Sequence, residues 1–181
     1  MRLLILTLGF TLLTGPAAPA SGLERTPACE AAEAGVLSFF ERKQGAPIFH
    51  ADAPAFSAKF YARLSLEDGW TGPTPQPELL DKLYLRQMES AFTCRNVGVA
   101  VVRRGGTVLR TGTRGGSAAT ASPEALKHHL SLPIMSRDGK EAILFTTSLP
   151  NSGIGGFERL ALLRREGASW AVVSWKALAI G

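Results

Sequence analysis

The residues that could do chemistry by type and spacing are arginines. Arg95, Arg103, Arg104, Arg110 and Arg114 fall between Ser90 and Pro123, a stretch without a single Asp or Glu. A guanidinium presents a rigid fork of donors and stays charged, so several of them without neighbouring carboxylates can hold a phosphate or a carboxylate by paired hydrogen bonds. Arg103 and Arg104 border a tight turn at Gly105-Gly106, which Arg110 approaches from the returning segment. Arg103, Arg104, Arg110 and Arg114 are therefore the candidate binding residues. Their ligand would be a phosphate, a carboxylated glycan or a lipid headgroup. The competing explanation is solubility and protection of an edge strand by charge. An aromatic stacking partner is missing from this hairpin, which counts against single-stranded nucleic acid.

Other chemistry is sparse. The histidines are His50, His128 and His129. His50-Ala51-Asp52 has the composition of half a metal or acid–base site, but Phe49 and Pro54 around it favour a surface turn. His128-His129 reads as the end of a short helix, where such residues suit the last carbonyls. Neighbours on a helix diverge, so the pair is not expected to chelate one ion. Nucleophile elbows, S-x-x-K, H-E-x-x-H and C-x-x-C are all absent. Gly153-Ile154-Gly155-Gly156 lacks the lysine of a phosphate loop and lies between strands, so it reads as a hairpin loop. Glu67-Asp68 beside Trp70 resembles a sugar-cleft composition, yet sequence neighbours rarely face each other across a cleft. No catalytic residue, metal ligand or cofactor is assigned.

The remaining pair with chemistry is Cys29 and Cys94, the only cysteines. An oxidising compartment favours joining them, and closing so long a loop is worth roughly 4 kcal/mol at most in the chain-entropy model. The start of the chain points to that compartment. Arg2, the apolar run Leu3–Leu13 and the small residues of Ala18-Pro19-Ala20 have the form of a secretory signal peptide cut after Ala20. Residues 1–20 are then leader and 21–181 one α+β domain. Removing Arg2 lowers the net charge from +5 to +4, still modestly basic. No later segment is apolar for long enough to form a transmembrane helix.

These groups must be positioned by the elements the pattern predicts. Thr26 as cap and Pro27 at the first turn open a helix whose apolar face is Cys29, Ala32, Val36, Phe39 and Phe40. A short helix is possible near Ala55–Leu66. The Gly72–Pro77 stretch, with alternate prolines, is a loop, and Pro77 starts a second helix from Glu78 to about Phe92. Asn96–Val102, apolar on both faces, predicts a strand turned at Arg104–Gly106 and paired with Thr107–Thr111. Thr113–Ala121 is a loop, and Ser122-Pro123-Glu124 caps a short helix ending near Leu130. After an Asp138-Gly139 turn come strands at Glu141–Ser148, Phe157–Arg165 and Ser169–Ile180. On the last, Trp170, Val172 and Ser174 would face one way and Ala171, Val173 and Trp175 the other. The expected fold is α+β, with N-terminal helices packed on a curved, mainly antiparallel sheet of about five or six strands ending in a meander.

The DG-turned strand, glycine-rich loop, L-x-L-L-x-R strand and final W-x-V-V strand resemble the C-terminal part of a group of uncharacterised secreted bacterial proteins. The element order and the Gly167…Trp170-Ala171-Val172-Val173 ending are also similar to the nuclear-transport-factor-like fold. That resemblance implies a curved sheet and helices around a conical pocket, in a family of enzymes and of binding or assembly modules. It transfers no catalytic residue. The expected function is an exported, non-enzymatic binding or accessory protein of the bacterial envelope, periplasmic or secreted, partnered by an envelope protein or an anionic ligand. The alternative is a small-molecule hydrolase or isomerase with a pocket in such a cone. A third possibility is an inhibitor acting through an exposed loop, Thr113–Ala121 or Leu149–Gly156.

Overall fold

The computed structural model describes residues 26–41, 46–55, 66–85, 87–110, 126–150 and 155–180. Their elements run α1 (Pro27–Leu37), β1 (Ile48–His50), α2 (Pro77–Leu85), a 3₁₀ turn (Ala91–Thr93), α3 (Arg95–Arg103), β2 (Thr107–Leu109), β3 (Leu126–Leu130), β4 (Ile134–Met135), β5 (Glu141–Pro150), β6 (Phe157–Glu166) and β7 (Ser169–Ile180). The fold is α+β. Its open sheet has seven strands in the order β2-β1-β3-β5-β6-β7, with β4 also paired to β5. β1 is parallel to both β2 and β3, and the remaining ladders are antiparallel.

The sheet is buried on both faces. Along β5, Ala142 and Leu144 enter one core while Ile143 and Phe145 enter the other, the period-2 alternation of a strand covered on both sides. The first core receives α1 and α3 through Cys29, Ala32, Val36, Val97 and Val101. The second receives α2 through Leu79, Leu80 and Leu83, together with Leu66 and Trp70. Each fully buried leucine there contributes about 2 kcal/mol of apolar transfer.

Local chemistry explains the ends of these elements. Thr26 accepts a hydrogen bond from the Cys29 amide at 3.2 Å, with Pro27 in the first turn of α1. Gly139 and Gly167 take positive φ, 68° and 62°, in the turns before β5 and between β6 and β7. The Cys29–Cys94 disulfide joins the two helices of the first face, with its Cα atoms 5.5 Å apart. Asn96 adds a second tie, donating from Nδ2 to the Cys29 carbonyl at 3.0 Å and to Glu33 Oε2 at 2.7 Å.

Four expectations need correction. Asn96–Val102 lies within α3 and is not a strand: Val97, Ala100 and Val101 form a helical stripe that buries against α1 and the sheet. Leu126–Leu130 is a strand and not a helix end, held between β1 and β5 with His128 and Leu130 facing inward. The second helix stops at Leu85. The chain is then drawn out to pair with the stretch before β4, through a Ser90–Ser131 bridge and a Leu132 amide bond to the Glu89 carbonyl. Trp175 shares a core with Trp170. The register slips between Leu162 and Leu163, leaving Val173 unmatched, and that bulge turns the following residues over. The predicted helix near Ala55–Leu66 lies almost wholly outside the described residues, as do the loop Thr113–Ala121 and the cap Ser122–Glu124.

Candidate functional site

The arginine turn is built by a helix and an edge strand, not by a hairpin. The Arg104 amide closes α3 onto the Ala100 and Val101 carbonyls, and the Gly106 amide bonds the Val101 carbonyl at 3.0 Å. Gly105 has φ 80°. A Cβ on Gly106 would stand 2.8 Å from Phe40 Cζ and Val101 Cγ1, so only glycine lets the chain reverse this close beneath the helix. The Thr107 amide then bonds the Pro47 carbonyl at 3.1 Å, which places β2 beside β1.

Between α3 and β2 lies a groove of about 520 Å³. Its floor and walls include Phe92, Cys94, Val99, Val102 and Val108, and Arg95, Arg103 and Arg110 rim it. Val99 is 40% exposed and Val102 is 65% exposed. Eight residues of helix separate Arg95 from Arg103, about 12 Å at 1.5 Å per residue. Three strand steps carry the chain back about 10 Å from Thr107 to Arg110. Arg110 therefore returns to the Arg95 end, and Arg103 stands alone at the other. The disulfide at Cys94 fixes the wall behind.

Of the four arginines singled out from the sequence, Arg103 and Arg110 line this groove. Arg104 caps α3 at its C-terminus, where a cation suits the helix dipole, and does not line it. Arg114 lies outside the described residues. The groove adds Arg95, and it adds Val99 and Val102, which lie on the exposed side of α3 and not in a strand.

The histidines separate across the sheet. Because β3 is a strand, His128 and His129 face opposite sides. His128 is buried between Phe39 and Phe49, with ring centroids 4.7 Å and 5.5 Å away, and its Nδ1 stands 2.7 Å from Ser148 Oγ. This has the composition of a nucleophile and its base, but Ser148 is wholly buried, so no substrate reaches it. On the other face, His129 stacks on His50 at 4.7 Å with the rings 10° from parallel, and His50 Nδ1 lies 3.8 Å from Asp52 Oδ2. Strand register extends this row from His129 to Thr147 and on to Glu158. Burial, then the neighbouring His50, holds His129 below the usual imidazole range, and burial raises Glu158 above the usual carboxylate range. Stacked rings direct their lone pairs in parallel rather than to a shared point. Among the described residues no group of three or more His, Cys, Asp or Glu could hold a metal ion.

The other charged groups brace the fold. Buried Glu141 accepts from Arg164 Nε at 2.8 Å and from the Gln76 amide at 3.2 Å. Glu67 and Asp68 are exposed on a turn whose Trp70 Nε1 donates to the Leu66 carbonyl at 2.8 Å, while Lys176 Nζ donates to the Asp68 carbonyl. They form no cleft. No helix among the described residues is long and apolar enough to cross a membrane.

No family model, no curated protein and no solved structure matches this chain.

Proposed function

We propose that this chain is a non-enzymatic binding protein of the bacterial envelope, exported by its leader, that holds an amphipathic anion in the groove between α3 and β2. The observation that carries the reading is the coincidence of exposed Val99 and Val102 with three rimming arginines, in a stretch without carboxylates. Apolar surface stabilises a ligand in proportion to the area it covers, and guanidiniums select the sign and geometry of its head. The disulfide is compatible with an oxidising compartment and supports export to that extent. The test is titration calorimetry with dodecanoate, and with dodecyltrimethylammonium as the cation of equal tail length. Dodecanoate alone should bind, and Arg103→Glu should weaken it by about tenfold or more. A Gly98→Trp variant should block it too, because a Cβ at Gly98 meets nothing within 4 Å and the new ring would fill the groove. Equal binding of both amphiphiles, or of dodecanoate to all three proteins, refutes the reading.

One observation favours a second reading, a small-molecule enzyme using the row His129–Thr147–Glu158. Its environment pushes an acid and a base in opposite directions, as acid–base catalysis requires. Turnover of small ester or carbonyl substrates by the wild type and not by His129→Gln would move the function there. Equal rates would remove that reading.

A further inference from the structure

Resting on the groove reading, we propose that the occupant is an acidic, extended segment of a partner protein that adds a strand to the open edge of β2. Three features of the groove specify it. First, β2 ends the sheet, and among the described residues no strand pairs with its outer edge. The Thr107 amide bonds the Pro47 carbonyl and the Leu109 carbonyl accepts from the Ala51 amide, so residues 107 and 109 point their backbone groups at the β1 side. Alternation along a strand then directs the amide and carbonyl of Val108 outward, where a further strand would bond. Val108 is also a lining residue, so the outward backbone groups and the apolar floor belong to one surface.

Second, the spacing fits a strand. Consecutive side chains on one face of an extended peptide are about 6.8 Å apart, so residues four positions apart span about 13.5 Å. That is close to the separation of about 12 Å between Arg95 and Arg103 along α3. A peptide with the pattern acid–x–apolar–x–acid can set its apolar residue on Val99, Val102 and Val108 while its acids reach the two ends.

Third, the charge is complementary. Arg95, Arg103 and Arg110 rim the groove, and no acidic residue occurs between Ser90 and Pro123. Backbone pairing supplies affinity in this mode, and alternate side chains supply specificity.

The experiment uses the purified, disulfide-intact protein and two capped heptapeptides of identical composition. Ser-Glu-Thr-Leu-Thr-Glu-Ser places both acids on the face of the leucine. Ser-Thr-Glu-Leu-Glu-Thr-Ser places them on the opposite face. The first should bind at least about tenfold more tightly, and its binding should slow exchange of the Val108 amide by a similar factor. Arg103→Glu should weaken the first peptide and leave the circular dichroism spectrum unchanged. Equal affinities, or binding without protection at Val108, overturn the strand-addition proposal. Binding of dodecanoate but of neither peptide overturns it while leaving the groove reading intact. Binding of none of the three overturns both.

Discussion

Two sets of polar groups in this molecule have opposite surroundings. Within the sheet, His128, Ser148 and Glu141 are buried and paired: the imidazole with the hydroxyl, the carboxylate with Arg164 and a backbone amide. At the α3–β2 groove, Arg95, Arg103 and Arg110 are exposed and surround valines that are themselves exposed. A buried polar group costs stability unless its partner is in place, so the first set is committed to holding strands together. Val99 and Val102 stay open to solvent beside the arginines, so that apolar surface is available to a ligand. Sequence alone points to the arginines and treats the valines among them as core. The surroundings set exposed Val99 and Val102 beside Arg95, Arg103 and Arg110.

Substitutions in the two regions should therefore differ in kind. The largest loss is expected where they meet: Cys29→Ser with Cys94→Ser should lower stability by about 3 kcal/mol in urea unfolding. It should also weaken dodecanoate binding, because the disulfide anchors the wall of the groove. Within the sheet, Ser148→Ala removes the partner of His128 and should cost about 1 kcal/mol, with ligand binding unaltered. Weaker binding in that variant would mean the two regions are coupled.

The histidine row should give a smaller, pH-dependent signature. His129 is held below its ordinary value of 6.5 by burial, by His50 and, less strongly, by Lys127, against opposing contributions from the Asp52 backbone and carboxylate. The unfolded chain therefore takes up the proton first, so this contribution is present above pH 6.5 and is lost as pH falls through the folded value. Glu158 is raised above 4.5, so its contribution is present at lower pH and is lost as pH rises. In pH-dependent urea unfolding, His129→Gln should remove part of the decline below pH 6.5. An unchanged profile would show that His129 does not titrate with folding. The smallest effect on stability belongs to the groove. Arg103→Glu should move the unfolding midpoint by no more than the equivalent of about 0.5 kcal/mol. Its effect should fall on binding instead.

The groove was only half legible in the sequence, for a specific reason. The β-branched run Val97, Val99, Val101 and Val102 reads as a strand because apolar residues occupy every side of it. In α3, Val97 and Val101 face the core while Val99 and Val102 face the groove. The helical pattern is present, with Arg95, Asn96 and Arg103 set against the buried stripe of Val97, Ala100 and Val101, but the β-branched run masks it, and the exposed valines that complete that run line the candidate site. At Leu126–Leu130, helix-start residues upstream outweighed the period-2 burial of His128 and Leu130, which becomes visible only with β1 and β5 on either side. Trp175 was placed on the wrong face because a one-residue bulge is a property of the paired strands. The rest was local and hence readable: the Thr26-Pro27 start of α1, the Asp138-Gly139 and Glu166-Gly167 turns, and strands β5 to β7. The Cys29–Cys94 bridge followed from having only two cysteines.

The most direct test is a nitrogen-15 chemical-shift titration of the disulfide-intact protein with dodecanoate. Shifts confined to the Arg95–Arg103 and Thr107–Arg110 amides, and absent in Arg103→Glu, are the predicted result. Shifts centred instead on His50, His129 and Glu158, or no shifts at all, would contradict the assignment of function to the groove.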